Sequence, residues 1–308
     1  MPEHARTLDE QPELTPGSAI PAAESAVLAA GSAVLAVAAA GDDAWLGGFS
    51  GVAHTSSGAV ERPPFDGPVT SLLPVADGLV VGGAGGMALR AGGRWWPAQV
   101  RGGHSPVADL VSVPVEHETV LLAATIGDGV LRSEDGGRHF VGSSFGLQDR
   151  EATTLSVGPH TGTVIAGTAD GLFRSHKAGR VWRRCTQLTA PVAAVAYTSD
   201  RTAIAVLEQG EVLRSDDDGG TWAAVGEVTA GVTDLAVGAG GTLVAGTAGD
   251  GLWLSYDDGA TWQRAVDAPP VVHCLAAGPA RIYAGTDAGP MTSDDAMHWS
   301  SADHARAH

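Results

Sequence analysis

Positive charge is scarce in this chain: 18 Lys and Arg stand against 35 Asp and Glu, for a formal net charge of −17. Nucleic acids and anionic membranes are bound through a basic footprint, so neither is expected as a partner. An acidic balance suits a protein partner with a basic surface, a cation, or solubility alone. Cysteine is scarcer still. Cys185 and Cys274 lie far apart and have none of the paired spacings of a metal cluster. No metal and no cofactor are expected, and two isolated thiols suit a reducing compartment. Long hydrophobic runs are absent too. Ser25 to Ala40 is apolar, but it covers only 16 residues and is interrupted by Gly31-Ser32, short of the roughly 20 that span a bilayer. The first residues, Met1-Pro-Glu-His-Ala-Arg, are polar and lack the basic-then-apolar order of a signal peptide. The expectation is a cytoplasmic protein without membrane insertion.

Aromatic residues are few, at 5%, yet Trp (8) outnumbers Phe (5) and Tyr (3). That bias has a cause, because the chain repeats one short motif. Ser133, Asp135, Gly137 and Phe140 share their spacing with Ser175, Lys177, Gly179 and Trp182. Ser215, Asp217, Gly219 and Trp222 follow, then Ser255, Asp257, Gly259 and Trp262. The closing aromatics fall 42, 40 and 40 residues apart, the mark of an array of identical units. Each copy reads as a stapled hairpin. The Asp carboxylate can accept from the turn's own N–H groups, Gly supplies a positive φ, and the aromatic opens the next strand with a large apolar face. These residues are therefore assigned to the scaffold.

Upstream of each motif the order of elements recurs. Val232–Val237 alternates, Leu243–Thr247 follows a Gly-rich turn, and Gly251–Ser255 leads into the motif and a fourth strand from Trp262. Four short antiparallel strands in about 40 residues make a propeller blade. Degenerate copies extend the series to seven blades, at about 32–63, 68–98, 106–143, 152–184, 191–225, 231–265 and 271–302. The expected fold is an all-β, seven-bladed β-propeller over 25–303, behind a flexible tail at 1–24. Whether Ser25–Ala30 adds a strand to the last blade is left open.

The Ser-x-Asp-x-Gly-x-Thr-Trp pattern resembles the Asp-box, or BNR repeat, of sialidases, sortilin-type receptors and photosystem II assembly factors. Gly167-Thr-Ala-Asp-Gly171 is similar to the same repeats. The resemblance covers 32–302 and implies the propeller fold, while the motif itself belongs to the scaffold. Sialidase chemistry would need an arginine clamp, a Tyr–Glu pair and an Asp acid. This chain offers Tyr197, Tyr256 and Tyr283 only. Arg132, Arg174 and Arg214 each precede a motif Ser and form a repeat column, and the family's N-terminal Arg-Ile-Pro-type motif is missing.

Function then falls to surface shape. Connectors between blades and the turns between second and third strands share one face of a propeller, and the Ser–Asp turns occupy the other. The first face would carry Asp128, Asp170, Glu208, Asp250 and Asp287 as a near-ring, open at blades one and two. Asp149, Arg150, Arg101, His104, His273, Asp66, Phe49 and Phe145 join them. The long connectors Pro97–Pro106 and Gly142–Ala152 are the expected seats of specificity, with a mixed-charge notch beside the opening. The expected function is a non-catalytic platform for another protein, as an assembly or accessory factor. The alternative is a sialidase-like glycoside hydrolase or lyase acting on a small or sugar-like substrate at the channel mouth, so a small-molecule ligand stays open.

Overall fold

A computed structural model describes residues 33–103, 105–116, 118–147, 150–185 and 189–302. Seven sheets of antiparallel strands form a ring. Blade four shows the pattern: Ala152–Val157 innermost, then Val164–Thr168, Gly171–Ser175 and the short outer strand Arg183–Arg184. The ring closes where the inner strand of blade one, Val34–Ala40, packs against that of blade seven, Val272–Ala277. All four described strands of blade seven come from residues 272–301. Ser25–Ala30 lies outside the described residues. One addition escaped the sequence pattern. Gln99–Arg101, in the connector after blade two, pairs in parallel with His139–Gly142 as a fifth strand of blade three.

The Ser–Asp turns are stapled through side chains. In blade six, Gly259 N–H donates to Ser255 Oγ at 2.9 Å. Asp257 Oδ1 accepts from Ser255 Oγ at 2.9 Å and from Thr261 N–H at 2.9 Å. Blade five repeats this with Ser215, Asp217 and Thr221. Bonds from the Thr261 hydroxyl and amide hold the Asp257 carboxyl below its ordinary range, as expected of a carboxylate fed by several donors. Between Asp and Gly sits one left-handed residue, Asp218 at φ 63° and Asp258 at φ 54°.

Blade four departs from its neighbours at Lys177. Gly179 N–H still reaches Ser175 Oγ at 3.1 Å, but an ammonium accepts no hydrogen bond. Lys177→Asp is expected to raise stability by about 1 kcal/mol, the net worth of a restored turn hydrogen bond. Urea unfolding of the two proteins measures it, and an unchanged or lower midpoint would count against the assigned role of the motif Asp.

A second staple operates at the other end of four blades. Thr125, Thr168, Thr247 and Thr286 are fully buried. Their hydroxyls donate to the carbonyls of Gly129, Gly171, Gly251 and Gly289 at 2.7–3.0 Å. The same oxygens accept from the amides of Asp128, Asp170, Asp250 and Ala288. This is the role of the Gly-Thr-x-Asp-Gly stretch: it locks the turn that presents the acid.

The apolar core lies between the blades. Leu122, Ala124 and Val130 of blade three pack with Leu155, Phe173 and Trp182 of blade four. Val244, Leu252 and Leu254 of blade six pack with Val272, Leu275 and Trp299 of blade seven. Because every blade buries its faces against its neighbours, hydrophobic burial stabilises the ring as a whole and leaves a channel down its axis.

Candidate binding face and central channel

Turns between second and third strands rest on the connectors that flank their blades. Gly127 and Gly129 amides donate to the Arg150 carbonyl at 2.9 Å, and the Ala169 amide donates to the Glu151 carbonyl at 3.2 Å. The five acids stand on this shared face, and four of them lean on a partner. Asp128 Oδ2 accepts from the Ser105 amide at 3.2 Å. Asp170 pairs with Arg184 of the outer strand, whose guanidinium lies over the Phe173 ring. Asp250 meets Arg264 at 3.5 Å and Asp287 meets His273 at 2.7 Å. Glu208 is exposed and has no ion pair among the described residues. The arc is thus less negative than its composition, because Arg184 and Arg264 of the outer strands lie beneath it.

The candidate residues do not gather into one pocket. Arg101 sits at the outer edge of blade three, paired with Val141, while His273 belongs to the innermost strand of blade seven. Arg150 is exposed on the connector between blades three and four. His104 and Asp149 lie outside the described residues. A mixed-charge cleft of about 460 Å³ opens instead between blades one and two, where the turns carry no acid. Phe49, Arg62, Pro63, Phe65 and Asp66 line it. Arg62 and Phe65 were missed by sequence reasoning. The signal was an Arg-Pro-Pro-Phe run in a connector facing the exposed Phe49. Three large apolar side chains stand exposed on this same face: Phe49 at 72%, Phe145 at 76%, and Ile126.

The channel has a different chemistry. Every inner strand carries a β-bulge after its first residue, which turns the following side chain toward the axis. Thr70, Thr153 and Thr233 at bulge positions donate across to the next blade's Val107, Val192 and Val272 carbonyls at 2.7–3.0 Å. The lumen, about 450 Å³, is lined among others by Asp109, Asp234, Tyr197, His273 and Cys274. Burial raises the Asp109 carboxyl to about 7 and the Asp234 carboxyl to about 6, against the opposing pull of two backbone N–H groups on each. Both stay in touch with lumen solvent on one side. Burial also pushes the Cys274 thiol up, leaving it a poor nucleophile.

The channel carboxylates and two of the three tyrosines, Tyr197 and Tyr283, are tied into the scaffold. Both channel carboxylates spend their oxygens on backbone amides. Tyr197 donates to Asp218 at 2.8 Å in a buried network with Thr163 that joins blades four and five on the opposite face. Tyr283 donates to the Asp42 carbonyl at 2.6 Å, and Tyr256 projects from a Ser–Asp turn. Among the described residues no three His, Cys, Asp or Glu side chains form a group that suits a metal ion, and no helix is long and apolar enough to cross a membrane.

No protein-family model matches the chain, and no curated protein matches it. Solved structures do. The chain is similar to the extracellular domain of BT4673 from B. thetaiotaomicron, described there as a one-component system, with TM-score 0.66 and 15% identity. The match covers 91% of this chain and 40% of that domain, so the chain spans about two fifths of that neighbour's length. It is similar to the computationally designed Ika8 protein, with TM-score 0.59 and 15% identity, over 85% of this chain and 96% of that one. An ancestral GH74 enzyme matches with TM-score 0.53 and 19% identity, over 63% of this chain and 30% of that one. At these identities the likeness is one of fold: the chain is a seven-bladed β-propeller.

Proposed function

We propose that this chain is a binding platform of Asp-box type whose connector face docks a protein partner presenting basic and apolar groups. The observation that carries the reading is the exposure of Phe49 and Phe145, 72% and 76%, among acids on one face. Phenylalanine is enriched in protein interfaces, and exposed rings on a face with charged groups suit a partner's apolar pockets. The stapled turns fix the acids in place, so their field steers a basic partner while the phenyl rings supply burial.

Two variants of the full chain separate these contributions in affinity capture from extracts of the source cells. In the first, Glu208→Gln, Asp250→Asn and Asp287→Asn remove three charges. These groups are solvated, so stability is expected to hold within about 1 kcal/mol. The partner captured by the native chain at low salt is expected to associate more slowly with this variant and with a flatter salt dependence. In the second, Phe49→Ser with Phe145→Ser is expected to abolish capture at every salt concentration. A partner held equally by all three proteins, or no specific partner at all, sinks the reading.

A further inference from the structure

The seven inner strands carry no Lys or Arg, yet two of them place a carboxylate at the same register position. Asp109 follows the bulge of blade three, and Asp234 that of blade six. Ala36, Ser71, Thr154, Ala194 and Cys274 hold the matching positions in the other blades. Each carboxylate bridges two blades. Asp109 accepts from its neighbour Leu110 and from Leu155 of blade four, both at 2.7 Å. Asp234 accepts from Leu235 and from Leu275 of blade seven, again both at 2.7 Å.

We infer that Asp109 and Asp234 form a pair of proton-operated clasps that hold the ring more firmly when protonated than when charged. They close the interfaces between blades three and four and between blades six and seven. Loosening at both divides the ring into an arc of blades four to six and an arc of blades seven to three.

The charge balance around them gives the reason. Asp234 is the charge that adds to the rise of Asp109, and no cation of the inner strands answers either group. Blades two and four, flanking blade three, contribute Thr70, Ser71, Thr153 and Thr154 to the lumen. Blade five contributes Tyr197, whose hydroxyl faces Asp218. Blade seven contributes Cys274 and His273, the latter turned to Asp287 at the mouth. Ionisation therefore places two charges in a narrow lumen with no inner-strand Lys or Arg to offset them, and desolvation outweighs the two backbone N–H bonds on each. Folded carboxyls that titrate near 6 and 7 hold protons that the unfolded chain has released. Their contribution to stability is full below about pH 4 and is lost as pH rises toward 7.

Urea unfolding near pH 5 and near pH 7.5 tests this. The unfolding constant of the native chain is expected to rise on the order of a hundredfold between the two. The Ser–Asp turn acids, held below their ordinary range, are ionised throughout this window. In Asp109→Asn with Asp234→Asn, permanently neutral, most of that rise is expected to vanish. A native chain equally stable at both values, or a double variant with the native slope, overturns the inference. Titration of carboxyl carbon shifts in the native chain needs no variant. Two carboxyls changing between about pH 5.5 and 7.5 support the clasps, and all carboxyls changing below 5 refutes them.

Discussion

Trp182→Ala is expected to destabilise the ring by about 3–5 kcal/mol, the range for removing a buried tryptophan. The same change at Trp222 or Trp262 is expected to cost less. The three occupy the same repeat position, so the contrast comes from their surroundings. Trp182 is 2% exposed and heads the fully buried side chains, wedged among Leu122, Val130 and Phe173 between blades three and four. Its indole N–H reaches out of its own turn to the Ser143 carbonyl at 2.8 Å. Trp222 and Trp262 are half-buried and turn back on Gly219 and Gly259. Blade four lacks the turn Asp, and its Trp ties it to the preceding connector instead. That indole bond to Ser143 holds the start of the loop that exposes the Phe145 ring. Loss of Trp182 should therefore weaken partner capture beyond what global unfolding explains. Urea unfolding of the three alanine variants decides the matter: equal costs would show that the repeat position alone sets the tryptophan's worth.

The scaffold was legible because each staple uses a local pattern. Ser, Asp and Gly at fixed offsets closed their turns as their hydrogen-bonding capacity requires. The functional face was legible only as chemistry. Which acids remain free depends on Arg184, Arg264 and His273 beneath them, contacts made between strands that sequence alone does not register. The cleft at Arg62 and Phe65 arises from a connector folding over a neighbouring turn, and no periodicity announces it. The clasps were within reach. Val107-Ala-Asp109-Leu110 and Val232-Thr-Asp234-Leu235 repeat an acid inside an apolar inner strand three blades apart. An acid there is out of place unless something binds it.

The largest remaining effect is expected from adding a single methyl group. Gly82→Ala and Gly246→Ala should each cost about 1–3 kcal/mol, the usual range for overpacking. Neither glycine has a positive φ, so the backbone does not demand glycine there; space does. A Cβ at Gly82 would stand 2.5 Å from Val107 Cγ1, and one at Gly246 would stand 2.7 Å from Val272 Cγ1. Gly167 meets Val192 in the same way at 2.7 Å. In five blades the second strand thus makes room for the valine that starts the next blade's inner strand, while blade five carries Val206 at that position. Blade three reverses the arrangement, with Ala124 at the glycine position and Ala152 in place of the valine. That natural pair suggests the rescue. Val107→Ala alone should cost about 2 kcal/mol through its cavity, but in the Gly82→Ala background it should cost far less, because the new methyl fills the space. Urea unfolding of the two single variants and the double variant gives the coupling. Strictly additive costs would mean that glycine and valine do not compete for one space, and the account of how neighbouring blades come into register would fail.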